Sequence, residues 1–204
     1  MIDRLCEDFG DGDDAVACIY CDFQDHESQT AANMIGALTK QIVNRLSMVP
    51  TEIEEAFKRA DGEAGGRGLQ VSESLKFLRA ALTPVKRAFL CIDALDECSD
   101  KHLSNLLISL HTVCQASAGV RLFITGRPPI RNPLEKYLPG GVQVISFSPN
   151  NGDIREYLEM KLKHDLDSEE MSPALKADIM KRIPEKIPDM YVMANSLSKA
   201  WSDR

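Results

Sequence analysis

Apolar residues in this chain fall into short blocks separated by polar turns, and the blocks follow two periods. Five in a row, Ala88-Phe89-Leu90-Cys91-Ile92, are too few for a helix and suit a strand buried on both faces of a parallel sheet. Ala15–Phe23, Val120–Thr125 and Val142–Phe147 read as strands too, the last after the turn Pro139-Gly140-Gly141. Between them the spacing becomes helical. Met34, Leu38, Ile42 and Leu46 form one stripe, in a helix capped by Ser28 or Thr30. Ser72 caps a second helix that Pro84 stops after about Leu82. Leu103, Leu106, Leu107, Leu110, Val113 and Cys114 mark a third, which Gly119 ends. Shorter stripes run over Ile2, Leu5, Cys6 and Phe9 and over Ile53–Arg59.

Strand, helix and strand in repetition is the signature of a parallel sheet, so the pattern predicts an α/β fold flanked by helices. After Asn150 only helices are expected: Ile154–Leu166 capped by Asp153, then Pro173–Ile183 and Asp189–Trp201. The reading is an α/β core over residues 1–149 and a helical extension over 150–204. A chain of 204 residues has room for one such domain with a small appendage.

Composition narrows the partners. With 24 basic and 31 acidic residues the formal charge is −7, which argues against a broad surface for nucleic acid or anionic membrane. No apolar run approaches the roughly 20 residues of a membrane helix, and the acidic start, Met-Ile-Asp-Arg-Leu-Cys-Glu-Asp, does not read as a signal peptide. The expectation is a cytoplasmic protein. Its six cysteines lie mostly in apolar segments and read as buried thiols. Cys18 and Cys21 spell C-x-x-C, but within a strand residues three apart face opposite ways and no second pair completes a zinc site.

Candidate chemistry gathers at two strand ends. The Ala88–Ile92 run stops at Asp93, followed by Ala94, Leu95, Asp96 and Glu97. A carboxylate at the carboxyl end of a central parallel strand sits where open α/β sheets bind ligands. There it can hold Mg²⁺ while a neighbouring acid orients a water. The strand Val120–Thr125 ends in Thr125-Gly126-Arg127-Pro128, on the same edge of a parallel sheet. An Arg facing carboxylates across a cleft suits a triphosphate with Mg²⁺ between them; the plainer alternative is that Arg127 pairs with those acids. The glycine-rich stretch Asp61–Gly68 holds no Lys-Ser/Thr pair and is not a phosphate cradle. No G-x-S-x-G occurs, and among the four histidines His102 and His111 fall on opposite helix faces, so there is no hydrolase triad.

Together these segments resemble the NACHT-type NTPases of the STAND class, especially the nephrocystin-like NACHT domains abundant in fungal multidomain receptors. Ile19-Tyr20-Cys21-Asp22-Phe23 with Gln29-Thr30-Ala31 is similar to their second strand and following helix. Cys91-Ile92-Asp93-Ala94-Leu95-Asp96-Glu97-Cys98 is similar to their Walker B, and Phe123-Ile124-Thr125-Gly126-Arg127-Pro128 to their sensor 1. Asp153-Ile154-Arg155-Glu156-Tyr157-Leu158 resembles the start of the helix after the sheet. The resemblance implies a P-loop NTPase-like fold that takes ATP or ADP with Mg²⁺ and switches a signalling receptor. It makes Asp93 the Mg²⁺ acid, Asp96 and Glu97 the acids that position water, and Thr125 with Arg127 the phosphate-facing pair.

The chain also departs from that family. No G-x-x-x-x-G-K-[ST] occurs, so most of the phosphate cradle is missing. The strand before that loop is missing as well, which should leave two hydrophobic strand edges unpaired inside the sheet. The reading is therefore a truncated NACHT domain without appreciable ATPase activity of its own. Its alternative is a non-catalytic module that docks on other protein domains, such as intact NACHT partners, through sheet edges and helices.

Overall fold

The mainly apolar runs Ala88–Ile92 and Val120–Ile124 form the middle of the sheet, and the strand expected over Ala15–Phe23 ends earlier, at Tyr20. The computed structural model describes residues 2–9, 13–25, 27–61, 68–140, 142–147, 151–164, 172–186 and 190–195. In chain order the elements are α1 (Ile2–Phe9), β1 (Asp14–Tyr20), α2 (Ala31–Val43), α3 (Thr51–Asp61), α4 (Val71–Leu82), β2 (Arg87–Asp93), α5 (Asp100–Ala116), β3 (Val120–Gly126), α6 (Arg131–Tyr137), β4 (Val142–Phe147), α7 (Asn151–His164), α8 (Pro173–Lys186) and β5 (Met190–Asn195). Single 3-10 turns at Leu95–Glu97 and Pro128–Ile130 follow β2 and β3. Across the sheet the order is β1-β2-β3-β5-β4. β1, β2 and β3 are parallel, with Ala17 opposite Leu90 and Leu90 opposite Leu122. This is the expected α/β, P-loop NTPase-like arrangement of a parallel sheet flanked by helices.

Alternate strand residues build the main core. Ala15, Ala17 and Ile19, Ala88, Leu90 and Ile92, and Val120, Leu122 and Ile124 join one cluster with Leu38 and Ile42 of α2, Leu78 of α4, and Leu106, Leu107 and Leu110 of α5. Residues of the opposite parity look to the other face, where α1 lies: the Phe9 and Phe89 rings are 4.7 Å apart, and the Arg87 guanidinium sits 5.0 Å from the Phe9 ring. Arg87 also bonds Asp14 across the β1–β2 pair, and that hydrogen bond holds the Asp14 carboxyl below its usual range. No helix among the described residues is long and apolar enough to cross a membrane.

Several boundaries differ in instructive ways. Of the two caps considered for α2, Thr30 serves, its hydroxyl accepting from Asn33 N at 3.2 Å. α4 starts ahead of Ser72: Gln70 is the cap, and Glu73 accepts from Gln70 N at 3.0 Å. α5 closes at Ala116, before Gly119, which instead opens β3 beside the Lys86 carbonyl. Asp153 is the third residue of α7, not its cap. The largest correction is the expected helix Asp189–Trp201, where Met190–Asn195 is a strand. A short apolar run with no polar period fits either element. Here the two flanking strands offer unpaired backbone groups, and pairing with them decides. β5 runs antiparallel to both β3 and β4 and fills the interior position predicted to stay open, so those two edges are not bare. The rest of that predicted helix, the glycine-rich residues 62–67, the turn glycine Gly141 and His26 lie outside the described residues.

β1 is an outer strand, and its edge is covered from within the chain. The Gln41 carboxamide on α2 accepts from Cys18 N at 3.0 Å and donates to Cys18 O at 2.7 Å, as a neighbouring strand would. Gln29 repeats the device at Asp22, with distances of 3.2 and 2.9 Å. Unsatisfied backbone on an outer strand invites pairing with other chains. Replacing Gln41→Ala should therefore lower stability by about 1–3 kcal/mol. Denaturant unfolding should show a lower midpoint with unchanged slope, and light scattering should show self-association growing with concentration.

Candidate functional site

Three strand ends converge at the carboxyl edge of the sheet. Asp93 is the last residue of β2, and Thr125 lies next to the end of β3. Beyond Asp93 the chain must turn at once so that Leu95, fully buried, can plug the core. It does so through Ala94, held at φ 52° in the left-handed region that costs a non-glycine residue about 1 kcal/mol. Thr125 makes the turn tenable. Its hydroxyl accepts from Ala94 N at 2.9 Å and donates to Asp93 Oδ1.

The next turn of chain carries the other two acids to Arg127. Asp96 Oδ1 accepts from the Arg127 backbone N–H at 2.9 Å, and Asp96 Oδ2 lies 2.8 Å from Arg127 Nε. Glu97 Oε1 lies 2.8 Å from Arg127 Nη2. Its second oxygen accepts from Phe23 N at 3.4 Å, which draws in the loop after β1. The Asp93 carbonyl accepts from Cys21 N at 3.0 Å and draws that loop in again. Gly126 permits the approach: a Cβ there would stand 3.1 Å from Asp96 Oδ1 and 3.1 Å from a methyl of Ile130. The five residues picked from sequence thus gather at one sheet edge in two bonded sets, Asp93 with Thr125, and Asp96 and Glu97 with Arg127.

Cys21 and Cys98 lie buried beneath it. Burial first, then Cys98 and the three acids, push the Cys21 thiol up to about 12. It stays protonated at neutral pH and offers neither a thiolate ligand nor a nucleophile. Cys18, the other half of the C-x-x-C, is held at the Gln41 clamp instead.

What the constellation can do follows from which oxygens are engaged. Mg²⁺ requires several oxygens converging on one point. Here both oxygens of Asp96 and both of Glu97 turn to Arg127 or to backbone N–H groups, and Asp93 is bonded to Thr125. Among the described residues no group of three or more His, Cys, Asp or Glu side chains is placed to hold a metal ion. As arranged, these residues do not fit a Mg²⁺–nucleotide: the guanidinium that would face phosphate is neutralised by the acids beside it. Sequence reasoning had set Arg127 against those acids only as the plainer alternative, and it missed Gln41, Gln29 and the Phe23 N–H. A glutamine on a helix carries no local sign that it will meet a strand edge.

A family model described as nephrocystin 3, N-terminal, matches residues 1–127, a span that ends on Arg127 and holds every residue of the constellation. Neither a curated protein nor a solved structure matches the chain.

Proposed function

The chain belongs to the nephrocystin 3, N-terminal family, and from that premise we propose that it is a non-hydrolysing module derived from a NACHT-type nucleotide switch. In this reading it works on other protein domains of a cytoplasmic signalling receptor, not on nucleic acid or membrane. The observation that carries it is the closed set of bonds from Arg127 to Asp96 and Glu97. Those bonds tie the loops after β1, β2 and β3 into one rigid edge, and they use up the charge that phosphate recognition would need. No G-x-x-x-x-G-K-[ST] occurs in the 204 residues to supply a cradle in its place.

A second reading keeps the nucleotide. Asp93, Asp96, Glu97, Thr125 and Arg127 lie at the carboxyl ends of adjacent parallel strands, the usual ligand edge of such sheets. If another segment supplied the phosphate loop, they would serve as the acidic and phosphate-facing parts of an ATP/ADP site.

Thermal unfolding with ATP or ADP, with and without Mg²⁺, separates the two. A site filled to about 100 times its dissociation constant would add about 2.7 kcal/mol. The module reading expects no Mg²⁺-dependent rise in Tm and no release of phosphate from ATP. A rise that Asp93→Asn abolishes would overturn it and favour the nucleotide switch.

A further inference from the structure

The sheet face beneath α1 gathers thiols. Cys18 of β1 and Cys91 of β2 are register partners, and both fall at the parity opposite to the main core, together with Phe89. Partners on adjacent parallel strands send their side chains to the same face, with Cα atoms about 4.8 Å apart. A disulfide spans roughly 4.4–6.8 Å between Cα atoms. Cys6 of α1 comes three residues before Phe9, whose ring packs on Phe89. Burial first, then Cys18 and Cys6, push the Cys91 thiol up to about 12, so both other sulfurs stand close to it.

The three differ in access. Cys91 is fully buried, while Cys6 and Cys18 are half-buried. Cys18 lies on the outer strand, where its thiol donates to Gln41 Oε1 at 3.7 Å. Cys21 and Cys98, the other neighbouring pair, are both buried and give an oxidant no entry.

We propose that Cys18 and Cys91 close into a reversible disulfide when the protein meets a hydroperoxide. The Cys18 sulfur attacks one peroxide oxygen; an S–O bond forms, the O–O bond breaks, and the departing hydroxide leaves as water with the thiol proton. The Cys91 sulfur then attacks Cys18; the S–S bond forms, the S–O bond breaks, and hydroxide leaves as water with the Cys91 proton. Two thiols lose two electrons in all, and the peroxide gains them. Burial keeps Cys91 from meeting the peroxide itself, so its part is to close the bond. Strand spacing exceeds the Cβ separation of a relaxed disulfide, about 3.8 Å. The bond is therefore strained, and an external thiol of the glutathione class reopens it. Closure also draws the Cys18 sulfur off Gln41 and towards β2. The pair is independent of what the strand ends bind.

Peptide mapping of the full chain tests the pair. Chymotrypsin cuts after aromatic residues and leucine, so residues 10–20 carry Cys18 alone and residues 91–95 carry Cys91 alone. The native protein is treated with hydrogen peroxide, its remaining thiols are blocked with N-ethylmaleimide in denaturant, and the digest is weighed with and without dithiothreitol. The expected result is a peroxide-dependent species joining 10–20 to 91–95, which dithiothreitol splits. Cys18→Ser should abolish it and Cys6→Ser should leave it in place, with circular dichroism showing both variants folded. A bond from Cys6 to either sheet cysteine, in place of this one, would overturn the assignment. So would a Cys18 that is carried on to sulfinic or sulfonic acid, or is left reduced, while Cys91 still takes the maleimide.

Discussion

Gly119→Ala is expected to cost this protein about 3 kcal/mol or more. A Cβ at this position would lie 2.3 Å from the carbonyl oxygen of Lys86 and 3.3 Å from its carbon. The obstacle is backbone, not the end of a flexible side chain, so it cannot swing aside. Both neighbours are fixed as well: Lys86 N donates to Asp13 O at 2.8 Å, and Ala88 N donates to Gly119 O at 3.0 Å. The methyl must push β3 away from β2 at the amino-terminal end of the parallel sheet. Overpacking in a well-filled interior typically costs 1–3 kcal/mol, and strain against immobile backbone lies at or beyond the top of that range. For a chain of this size 3 kcal/mol corresponds to a fall in Tm of about 6–12 °C. Calorimetry on the pure variant measures it. Gly36→Ala is the matching control, because a Cβ at Gly36 meets nothing within 4 Å, and it should raise stability through helix propensity. A Gly119→Ala protein that melts with the wild type would mean that β3 does not approach Lys86 this closely.

What could be read ahead of the structure, and what could not, divides along the range of the forces. β2 and β3 were legible because Ala88–Ile92 and Val120–Thr125 are unbroken apolar runs that end in polar residues. Parallel pairing then puts Asp93, Asp96 and Glu97 beside Thr125 and Arg127 without further information. The state of that cluster was not legible. Whether Arg127 faces phosphate or pairs with Asp96 depends on distances of 2.8 Å set by the 3-10 turn after Ala94, and no pattern in Asp-Ala-Leu-Asp-Glu fixes the sign of φ at an alanine. β5 was misread for a related reason. Met-Tyr-Val-Met-Ala is short and apolar throughout, so local propensity is nearly silent and the open position between β3 and β4 decides. Gln41 shows the limit again: its carboxamide matters because α2 lies along β1, a fact of packing and not of the residues beside it.

The second large effect distinguishes the clamp from a catalytic centre. Asp96 has a side chain only 12% exposed and holds Arg127 at two points, the backbone N–H and Nε. Asp96→Ala removes both acceptors, leaves a backbone donor without its partner and leaves the guanidinium with Glu97 alone. A cost of about 2–4 kcal/mol is expected, below that of severing a fully buried ion pair because Arg127 is 55% exposed. Arg127→Ala keeps the backbone hydrogen bond and loses only the ion pairs, so about 1 kcal/mol is expected there. The double variant should cost less than the sum of the two, since the charge contact can be lost only once. Chemical denaturation of the four proteins closes the cycle. Raising the salt concentration should shrink the cost of Arg127→Ala more than that of Asp96→Ala, because part of the Asp96 contribution is a hydrogen bond to neutral backbone. If Asp96 instead served mainly as an acid poised for chemistry, its removal would leave stability unchanged or raise it, as relieving a strained active site does. An Asp96→Ala variant as stable as the wild type would therefore restore the case for a working site at the ends of β2 and β3.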